Sequence, residues 1–239
     1  IPQRALKTAL ERTHFCMAQQ DVRYYLNGMY LELKSRQLRA VATDGHRMAI
    51  TDIQIDAIDS AMELQVIIPR KAIQELLRLL ADTDELAEVE FHANHIQVMV
   101  PGVKFTSKLI DGKYPDYTKV IPNIQTKILR LERAAFREAL VRVAILANEK
   151  SRGIRLSLGP ERLGVSAYNP EHEEATEELE YAYRGEHLEI GFNVNYLIDA
   201  ANAIDNQDIE LTLNDTNSSC VMHAPDDTTT RYVIMPMRL

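Results

Sequence analysis

The sequence predicts an α+β protein made of two similar domains in tandem, and three observations support that prediction. Stretches that alternate apolar and polar residues, as half-buried strands do, outnumber the four stretches with helical spacing. Turn residues follow the strands closely, which favours antiparallel pairing because parallel strands need long crossover connections. The order of helices and strands also occurs twice along the 239 residues.

Four segments have the apolar spacing of amphipathic helices. The first begins at Pro2, the second spans residues 69–80, the third spans residues 133–146, and the fourth follows Asn193. Proline is tolerated at a helix start because the first backbone N–H groups have no intrahelical partner. The polar faces of the first three helices are basic, as with Arg70, Lys71 and Arg78 on the second.

The predicted strands lie between these helices. Clear examples of the two-residue period are residues 29–33, 38–42, 89–91, 154–158 and 209–213. Residue types that favour turns separate them at Ser35-Arg36, Asp44-Gly45, Asp111-Gly112 and Gly159-Pro160. We therefore expect antiparallel sheets on which two helices per domain pack.

The two halves of the chain match at a nearly constant offset. At an offset of 125 residues, apolar strand positions coincide in five pairs, namely Leu31 with Leu156, Leu33 with Leu158, Leu38 with Leu163, Ala40 with Val165 and Ala42 with Ala167. The second and fourth helices coincide at an offset of 124. The pattern predicts domains at residues 1–123 and 124–239, with the boundary in residues 122–127, where a proline and polar residues interrupt it.

The composition is typical of a globular protein without a membrane span. Lys and Arg number 27 and Asp and Glu number 35, which gives a net charge of −8, and 46% of the residues are apolar. The chain has no run of about 18 apolar residues, and its opening residues, IPQRALKTAL, have no signal-peptide core. Cys16 and Cys220 lack the spacing of a metal site, which fits a reducing cytoplasm. We therefore expect a cytoplasmic protein.

The excess negative charge is concentrated in one segment. Between Glu171 and Glu189 the chain has eight glutamates against one cation, Arg184. Such a run is typical of a solvated strand or loop edge, where like charges discourage pairing with other chains. The rest of the chain is close to neutral, so the basic helix faces remain candidates for contact with phosphate.

The motifs of enzymes and metal sites are incomplete. Asp44, His46 and Ser107 would be the acid, base and nucleophile of a hydrolase, but Ser107 lacks the glycine frame of a nucleophile elbow. His92 and His95 have no Cys or carboxylate cluster to complete a metal site. We expect no catalytic residue, metal or cofactor. A hydrolase using Asp44 and His46 and a DNA-binding protein that reads sequence stay open as alternatives.

Several strings resemble one family. They are QDVRYYLNG at residues 20–28, TDGHR at 43–47, FTSKL at 105–109, YPDY at 114–117, GFNV at 191–194 and YVIMPMRL at 232–239. In this order they resemble the bacterial DNA polymerase III beta subunits, the sliding clamps. The resemblance extends along the whole chain but covers only the second and third of the family's three clamp-type domains, and the first is missing.

The resemblance implies a fold and a role on DNA. Clamps of this family encircle duplex DNA with helices facing the DNA and sheets outside, and their contacts with phosphate are independent of sequence. The duplex-facing residues that it implies are Gln20, Arg23, Tyr24, Tyr25, Arg70, Lys71 and Arg78. Without the resemblance, Tyr24 and Tyr25 are equally well core aromatics, and the cations are an ordinary solvated helix face.

The resemblance also implies a peptide-binding pocket that takes short linear motifs. The residues implied are Leu26, Thr43, Gly45, His46, Arg47, Met48, Pro115, Lys119, Val120, Tyr196, Ser219, Val233, Met235, Pro236, Met237 and Arg238. Flexible methionines can repack around different partners. Met48 and Lys119 differ from a well-known member of the family, which has Leu and Arg at these positions. The alternative to a pocket is that the Met-Pro-Met tail is a final strand buried in the core.

The function that the resemblance implies is that of a non-enzymatic scaffold in DNA replication, a processivity factor. Its partners would be duplex DNA and, through short linear motifs, the polymerase catalytic subunit of the DNA polymerase III holoenzyme, the clamp loader and repair polymerases, with no membrane. The family closes its homodimeric ring through the first domain of one subunit and the third of the other. We therefore expect a polypeptide of these 239 residues to be a monomer or a weak self-associate that does not encircle DNA.

Overall fold

The computed structural model describes residues 1–56, 61–122, 126–181 and 185–238. It divides into two compact units, Ile1–Asp116 and Tyr117–Leu239. The predicted boundary between residues 123 and 124 lies outside the described residues, as do Arg184 and Leu239. Within the described residues each unit has two helices and two antiparallel sheets, which confirms the predicted α+β class. No helix among them is long and apolar enough to cross a membrane.

Unit 1 has a four-stranded and a three-stranded sheet. Its elements are α1 (Gln3–Glu11), β1 (Gly28–Lys34), β2 (Gln37–Thr43), β3 (Arg47–Gln54), β4 (Leu64–Pro69), α2 (Arg70–Leu79), β5 (Glu88–Phe91), β6 (His95–Val100) and β7 (Val103–Lys108). The strand orders are β4-β1-β2-β3 and β5-β6-β7. Both helices begin directly after a proline, Pro2 and Pro69, in extended backbone. Ile73 and Leu76 of α2 are buried.

Unit 2 has the same arrangement, except that both of its sheets have four strands. Its elements are β8 (Lys127–Glu132), α3 (Arg133–Ala144), β9 (Gly153–Gly159), β10 (Arg162–Tyr168), β11 (Glu174–Glu180), β12 (Leu188–Asn193), α4 (Val194–Ala203), β13 (Asp208–Leu213), β14 (Cys220–His223) and β15 (Thr230–Ile234). Its strands form the orders β11-β10-β9-β12 and β15-β14-β13-β8. The Asn193 side chain caps α4 by accepting from the Asn195 N–H.

The strand register confirms the predicted repeat. In unit 1, Leu31 pairs with Ala40 and Leu33 pairs with Leu38. At the same offset in unit 2, Leu156 pairs with Val165 and Leu158 pairs with Leu163. These side chains are buried, because each sheet packs its alternating apolar face against the helices of its own unit.

The third helix is shorter than predicted. It ends at Ala144 rather than at residue 146. The reason is that the N–H groups of Ile145 and Leu146 bond to carbonyls three residues earlier, Arg142 O at 3.3 Å and Val143 O at 3.2 Å, so the chain tightens into turns.

The acidic segment contains an edge strand, as the charge pattern predicts. Strand β11 has β10 as its neighbour and lies at the end of its four-stranded sheet. Its exposed and half-buried residues alternate. Glu177, on the half-buried side, accepts from Arg142 of α3 at 2.7 Å, and this contact lowers the pKa of Glu177. The run is therefore a charged sheet edge.

Candidate functional site

The β2–β3 turn (residues 43–47) gathers four of the predicted peptide-binding residues in unit 1. Asp44 Oδ1 accepts from the backbone N–H groups of His46 at 2.9 Å and Arg47 at 3.0 Å. Thr43 Oγ1 accepts from the Gly45 N–H at 3.1 Å and donates to the Arg47 carbonyl at 2.6 Å. Gly45 has a φ of +90°, which favours glycine. The turn is thus closed by its own side chains, and the His46 side chain is exposed.

Arg47 is mainly a structural part of this turn. Its Nε donates to Asp44 Oδ2 at 3.1 Å and its Nη2 donates to the Phe15 carbonyl at 3.1 Å. Its guanidinium carbon also lies 5.7 Å from the centre of the Phe15 ring, within cation–π range. The Arg47 side chain is only 14% exposed. These contacts hold the turn against the loop that carries Phe15.

A second loop, residues 17–28, carries four of the predicted duplex-facing residues. Gln20 is exposed and has a φ of +56°. Tyr24 is 56% exposed, and its ring meets that of Tyr25 edge to face at a centroid distance of 5.7 Å. Tyr24 also packs on Gly112, where an added Cβ would lie 3.2 Å from the ring. Arg23 is paired with Asp21.

The basic residues of α2 differ in how strongly they are held. Arg70 donates to the Met17 carbonyl at 2.9 Å and thereby ties the helix to the loop of residues 17–28. Arg78 donates to Glu75 at 2.9 Å, one turn away on the same helix. Lys71 is exposed. Three of the four predicted cations thus lie on α2 of unit 1, and the fourth, Arg23, lies in the loop that Arg70 contacts.

In unit 2 the C-terminal tail leaves the sheet of β15 and attaches to another strand. The Met237 N–H donates to the Gly191 carbonyl of β12 at 2.9 Å. Met235 is 37% exposed, Pro236 and Met237 are half-buried, and Arg238 is exposed. The tail is therefore partly buried, and the Met235 side chain is exposed. Ser219 directly precedes β14, whose Cys220 pairs with Ile234 of β15.

The other predicted peptide-binding residues fall into two groups. Leu26, Met48 and Val233 are each 2% exposed and belong to the apolar interior of their units. On the surface, Pro115 follows the buried Tyr114, and Lys119 and Val120 lie in a short 3₁₀ turn (Tyr117–Val120). Tyr196 is half-buried on α4.

Sequence reasoning missed several residues that shape these loops. Asp21, Asp44 and Phe15 hold the cations described above, and Gly191 anchors the tail. Tyr114 stacks on Tyr30 at a centroid distance of 4.9 Å, and burial raises the pKa of its phenol, opposed by the neighbouring Thr43 backbone. The spacing of Asp21 and Arg23 was the available signal, since an Asp two residues before an Arg can accept from both its backbone and its side chain.

The geometry gives no support to the hydrolase alternative. Asp44 bonds to the backbone N–H of His46, so its Oδ1 is occupied by the turn rather than orienting an imidazole. Ser107 Oγ donates to the Lys108 carbonyl. His92 and His95 stack face to face at 4.3 Å. Over the described ranges no group of three or more His, Cys, Asp or Glu residues is arranged to hold a metal ion.

Comparisons with known proteins give a consistent result. The model of the DNA polymerase III beta subunit central domain matches residues 1–116, and that of the C-terminal domain matches residues 118–238. The Beta sliding clamp of Pseudomonas putida is 48% identical over 239 residues, which are 100% of this chain and 65% of the relative.

Solved structures agree in fold. The crystal structure of the DNA polymerase III subunit beta from Pseudomonas aeruginosa has a TM-score of 0.98 at 48% identity and covers 100% of this chain and 66% of that one. A DnaN sliding clamp from the same organism, bound to griselimycin, has a TM-score of 0.97 at 48% identity and covers 100% and 64%.

The fold, two units of helices and antiparallel sheets that follow one another along the chain, is that of the bacterial sliding clamps. More particularly, the chain belongs to the DNA polymerase III beta subunit family, and it matches the central and C-terminal domains in that order. It spans about 65% of the length of the curated relatives it matches.

Proposed function

We propose that this chain acts as the second and third domains of a cytoplasmic sliding clamp, a processivity factor that encircles duplex DNA and recruits partners by short linear motifs. The observation that carries the proposal is the match of both domain models, in order, along residues 1–116 and 118–238. The partners proposed are the replicative polymerase, the clamp loader and repair polymerases. The protein has no catalytic role in this proposal and serves as a tether.

The proposed peptide-binding residues are the set that the resemblance implies, and the local geometry of each unit supports that set. In unit 1 the β2–β3 turn presents an exposed His46 on a backbone fixed by Asp44 and Thr43. In unit 2 the tail presents Met235 while Met237 is hydrogen-bonded to β12. Weak affinity for each motif suffices, because a partner tethered to a ring on DNA has a high effective concentration.

Binding of a fluorescently labelled pentapeptide of the Gln-Leu-x-Leu-Phe type, followed by anisotropy, tests this proposal. We expect saturable micromolar binding to the 239-residue polypeptide and its loss in a variant truncated after Pro236, because truncation removes the Met237 contact with Gly191. A peptide with Ala in place of its Leu and Phe residues is the matched control. Equal binding of both peptides, or no binding of either, would contradict the proposal.

The proposed DNA contacts are with phosphate and independent of base sequence, and the candidates are Gln20, Arg23, Tyr24, Tyr25, Arg70, Lys71 and Arg78. Two short duplexes of unrelated sequence should bind the polypeptide weakly and equally, and binding should fall steeply with salt. A large affinity ratio between the duplexes would instead indicate a protein that reads sequence.

Light scattering tests the proposed assembly state. Ring closure in the family uses a first domain, so we expect the 239-residue polypeptide to have the mass of one chain, 27.2 kDa. A mass of two chains that persists on dilution to low micromolar concentration would contradict this expectation.

A further inference from the structure

We propose that Arg23, held in place by Asp21, is a positioning residue for the β2–β3 turn and acts on peptide binding through Gly45. This role differs from the duplex contact that the family resemblance implies for Arg23. The inference rests on the proposed function, because peptide affinity is one of its two readouts.

Asp21 fixes the direction of the Arg23 side chain. Arg23 Nε donates to Asp21 Oδ1 at 3.0 Å and Nη2 donates to Oδ2 at 2.8 Å, a two-point contact, and the Arg23 backbone N–H donates to Oδ1 at 2.8 Å. Asp21 is itself fixed by Asn27, whose side chain accepts from the Asp21 N–H at 2.9 Å and donates to its carbonyl at 2.8 Å. A planar guanidinium in such a pair is strongly oriented.

The same guanidinium also contacts the turn. Arg23 Nη2 donates to the Asp44 carbonyl at 3.2 Å. A Cβ added to Gly45 would lie 2.8 Å from Nη1 and 3.0 Å from Nη2, so the guanidinium covers the position that a side chain would take. The φ of +90° favours glycine at residue 45, and a side chain there would also require the Arg23 guanidinium to shift.

A duplex phosphate would have to share the guanidinium with these contacts, which already use its Nε and Nη2 atoms. Movement of the guanidinium toward a phosphate would uncover Gly45 and the Asp44 carbonyl. Lys71, in contrast, is exposed and can meet a phosphate without breaking a turn. The contacts thus favour a positioning role for Arg23.

Arg23→Ala and Arg23→Lys test the inference in the 239-residue polypeptide. Arg162→Ala is the matched control, because Arg162 also pairs with a carboxylate, Glu178 at 2.9 Å, and belongs to neither proposed binding set. We expect Arg23→Ala to weaken pentapeptide binding about fivefold and Arg23→Lys to restore only part of it, because an ammonium cannot make the two-point contact with Asp21 and also cover Gly45. Arg162→Ala should change affinity less than twofold. Hydrogen exchange of the Gly45 and His46 amides, measured without peptide, should be faster in Arg23→Ala than in the unmodified chain, and the arginine control should leave it unchanged.

A double-mutant cycle tests the contact with Gly45 directly. In Gly45→Ala the new methyl group takes the position that the Arg23 guanidinium covers, and Arg23→Ala in the same chain removes that contact. The effects of the two substitutions on peptide affinity should therefore not add, and additive effects would contradict the contact. Gly102→Ala is the control for backbone strain, because Gly102 has a φ of +79° and its Cβ would meet nothing within 4 Å.

The outcomes separate the two proposals. If the unmodified chain binds no peptide, the proposed function fails, and the exchange rates alone decide the positioning role. If the chain binds peptide, unchanged affinity in Arg23→Ala overturns the inference. Weaker binding with unchanged amide exchange also overturns it, because Arg23 would then contact the peptide itself.

Discussion

In each unit a turn connects an equivalent pair of strands, β2 and β3 in unit 1 and β10 and β11 in unit 2. Each turn has an anchor, a side chain that accepts two backbone hydrogen bonds, but the charges of the two turns differ. Four residues separate Thr43 from its partner Met48, and five separate Tyr168 from its partner Glu174. At the repeat offset Asp44 corresponds to Asn169, and Asn169 Oδ1 likewise accepts two backbone N–H groups, those of Glu171 at 3.1 Å and Glu173 at 3.0 Å.

What differs is the partner of each anchor. Asp44 bonds to the Arg47 side chain and lies beside Arg23, whereas the Asn169 amide donates to Glu173 Oε2 at 2.8 Å in the acidic segment. The repeat therefore preserves the hydrogen bonds that fold a turn, while the charges that decide what the turn can bind have diverged. The proposed peptide-binding function belongs to the first turn and not to the second.

Exchanging the two turns should have the largest effect. Replacing residues 44–47 with NPEHE from residues 169–173 removes Gly45 and the Arg47 cation and adds two glutamates. We therefore expect peptide affinity to fall by about 30-fold or more. The reverse exchange, with DGHR placed at residues 169–173, should leave affinity within twofold. Circular dichroism confirms folding of each variant. Loss of affinity in the reverse exchange would contradict the assignment of binding to the first turn.

Removal of each anchor side chain should separate stability from binding. Asp44→Ala and Asn169→Ala each leave two backbone N–H groups without their acceptor, and each should lower the free energy of unfolding by about 1–2 kcal/mol in urea titrations. Only Asp44→Ala should also weaken peptide binding, by about tenfold. If Asn169→Ala weakens peptide binding to the same extent, the assignment of peptide binding to the first turn alone is wrong.

Truncation of Met235 should have a smaller effect. Met235 is 37% exposed on the tail of unit 2, and Met62 in unit 1 is 44% exposed, which makes it a matched control. We expect Met235→Ala to reduce peptide affinity by about three- to fivefold through lost apolar contact, and Met62→Ala to leave it unchanged. Anisotropy titrations of both variants provide the measurement, and equal effects would exclude a specific role for the tail.

The smallest expected effect is a pH dependence at Asp21. Its hydrogen bonds with the Arg23 side chain and backbone lower its pKa to about 2 from an ordinary value of 3.8. A lowered folded-state pKa means that its stabilising contribution is complete above about pH 4 and is lost as pH falls toward 2. The urea midpoint of Asp21→Asn should lie below that of the unmodified chain at pH 7, and the two should converge below pH 4. A difference that grows on acidification would contradict the pairing.

Sequence periodicity predicted the four helices, five of the strands and the repeat. Leu31 and Leu33 alternate with polar residues and match Leu156 and Leu158 at one offset, and the structure gives these strand pairs the same register in both units. Helix starts were readable from Pro2 and Pro69 because proline has a local and specific effect on backbone geometry. These features depend on neighbours in the chain.

The contacts at the candidate site were less accessible to sequence reasoning, because they join distant residues. No local pattern indicates that Arg23 lies against Gly45 or that Met237 pairs with Gly191. The equivalence of Asp44 and Asn169 is hidden by loops of different length. A count of basic residues also does not reveal that Arg23 and Arg78 have carboxylate partners. The site residues themselves stay predictions from family resemblance.

Chemical-shift mapping of backbone amides during titration with the pentapeptide tests the central claim most directly. The account predicts that the largest saturable shifts fall on Gly45 and His46 of the first turn and on Met237 of the tail, with the amides of residues 169–173 unchanged. Shifts concentrated in residues 169–173, or saturable binding that leaves Gly45, His46 and Met237 unshifted, would contradict the account.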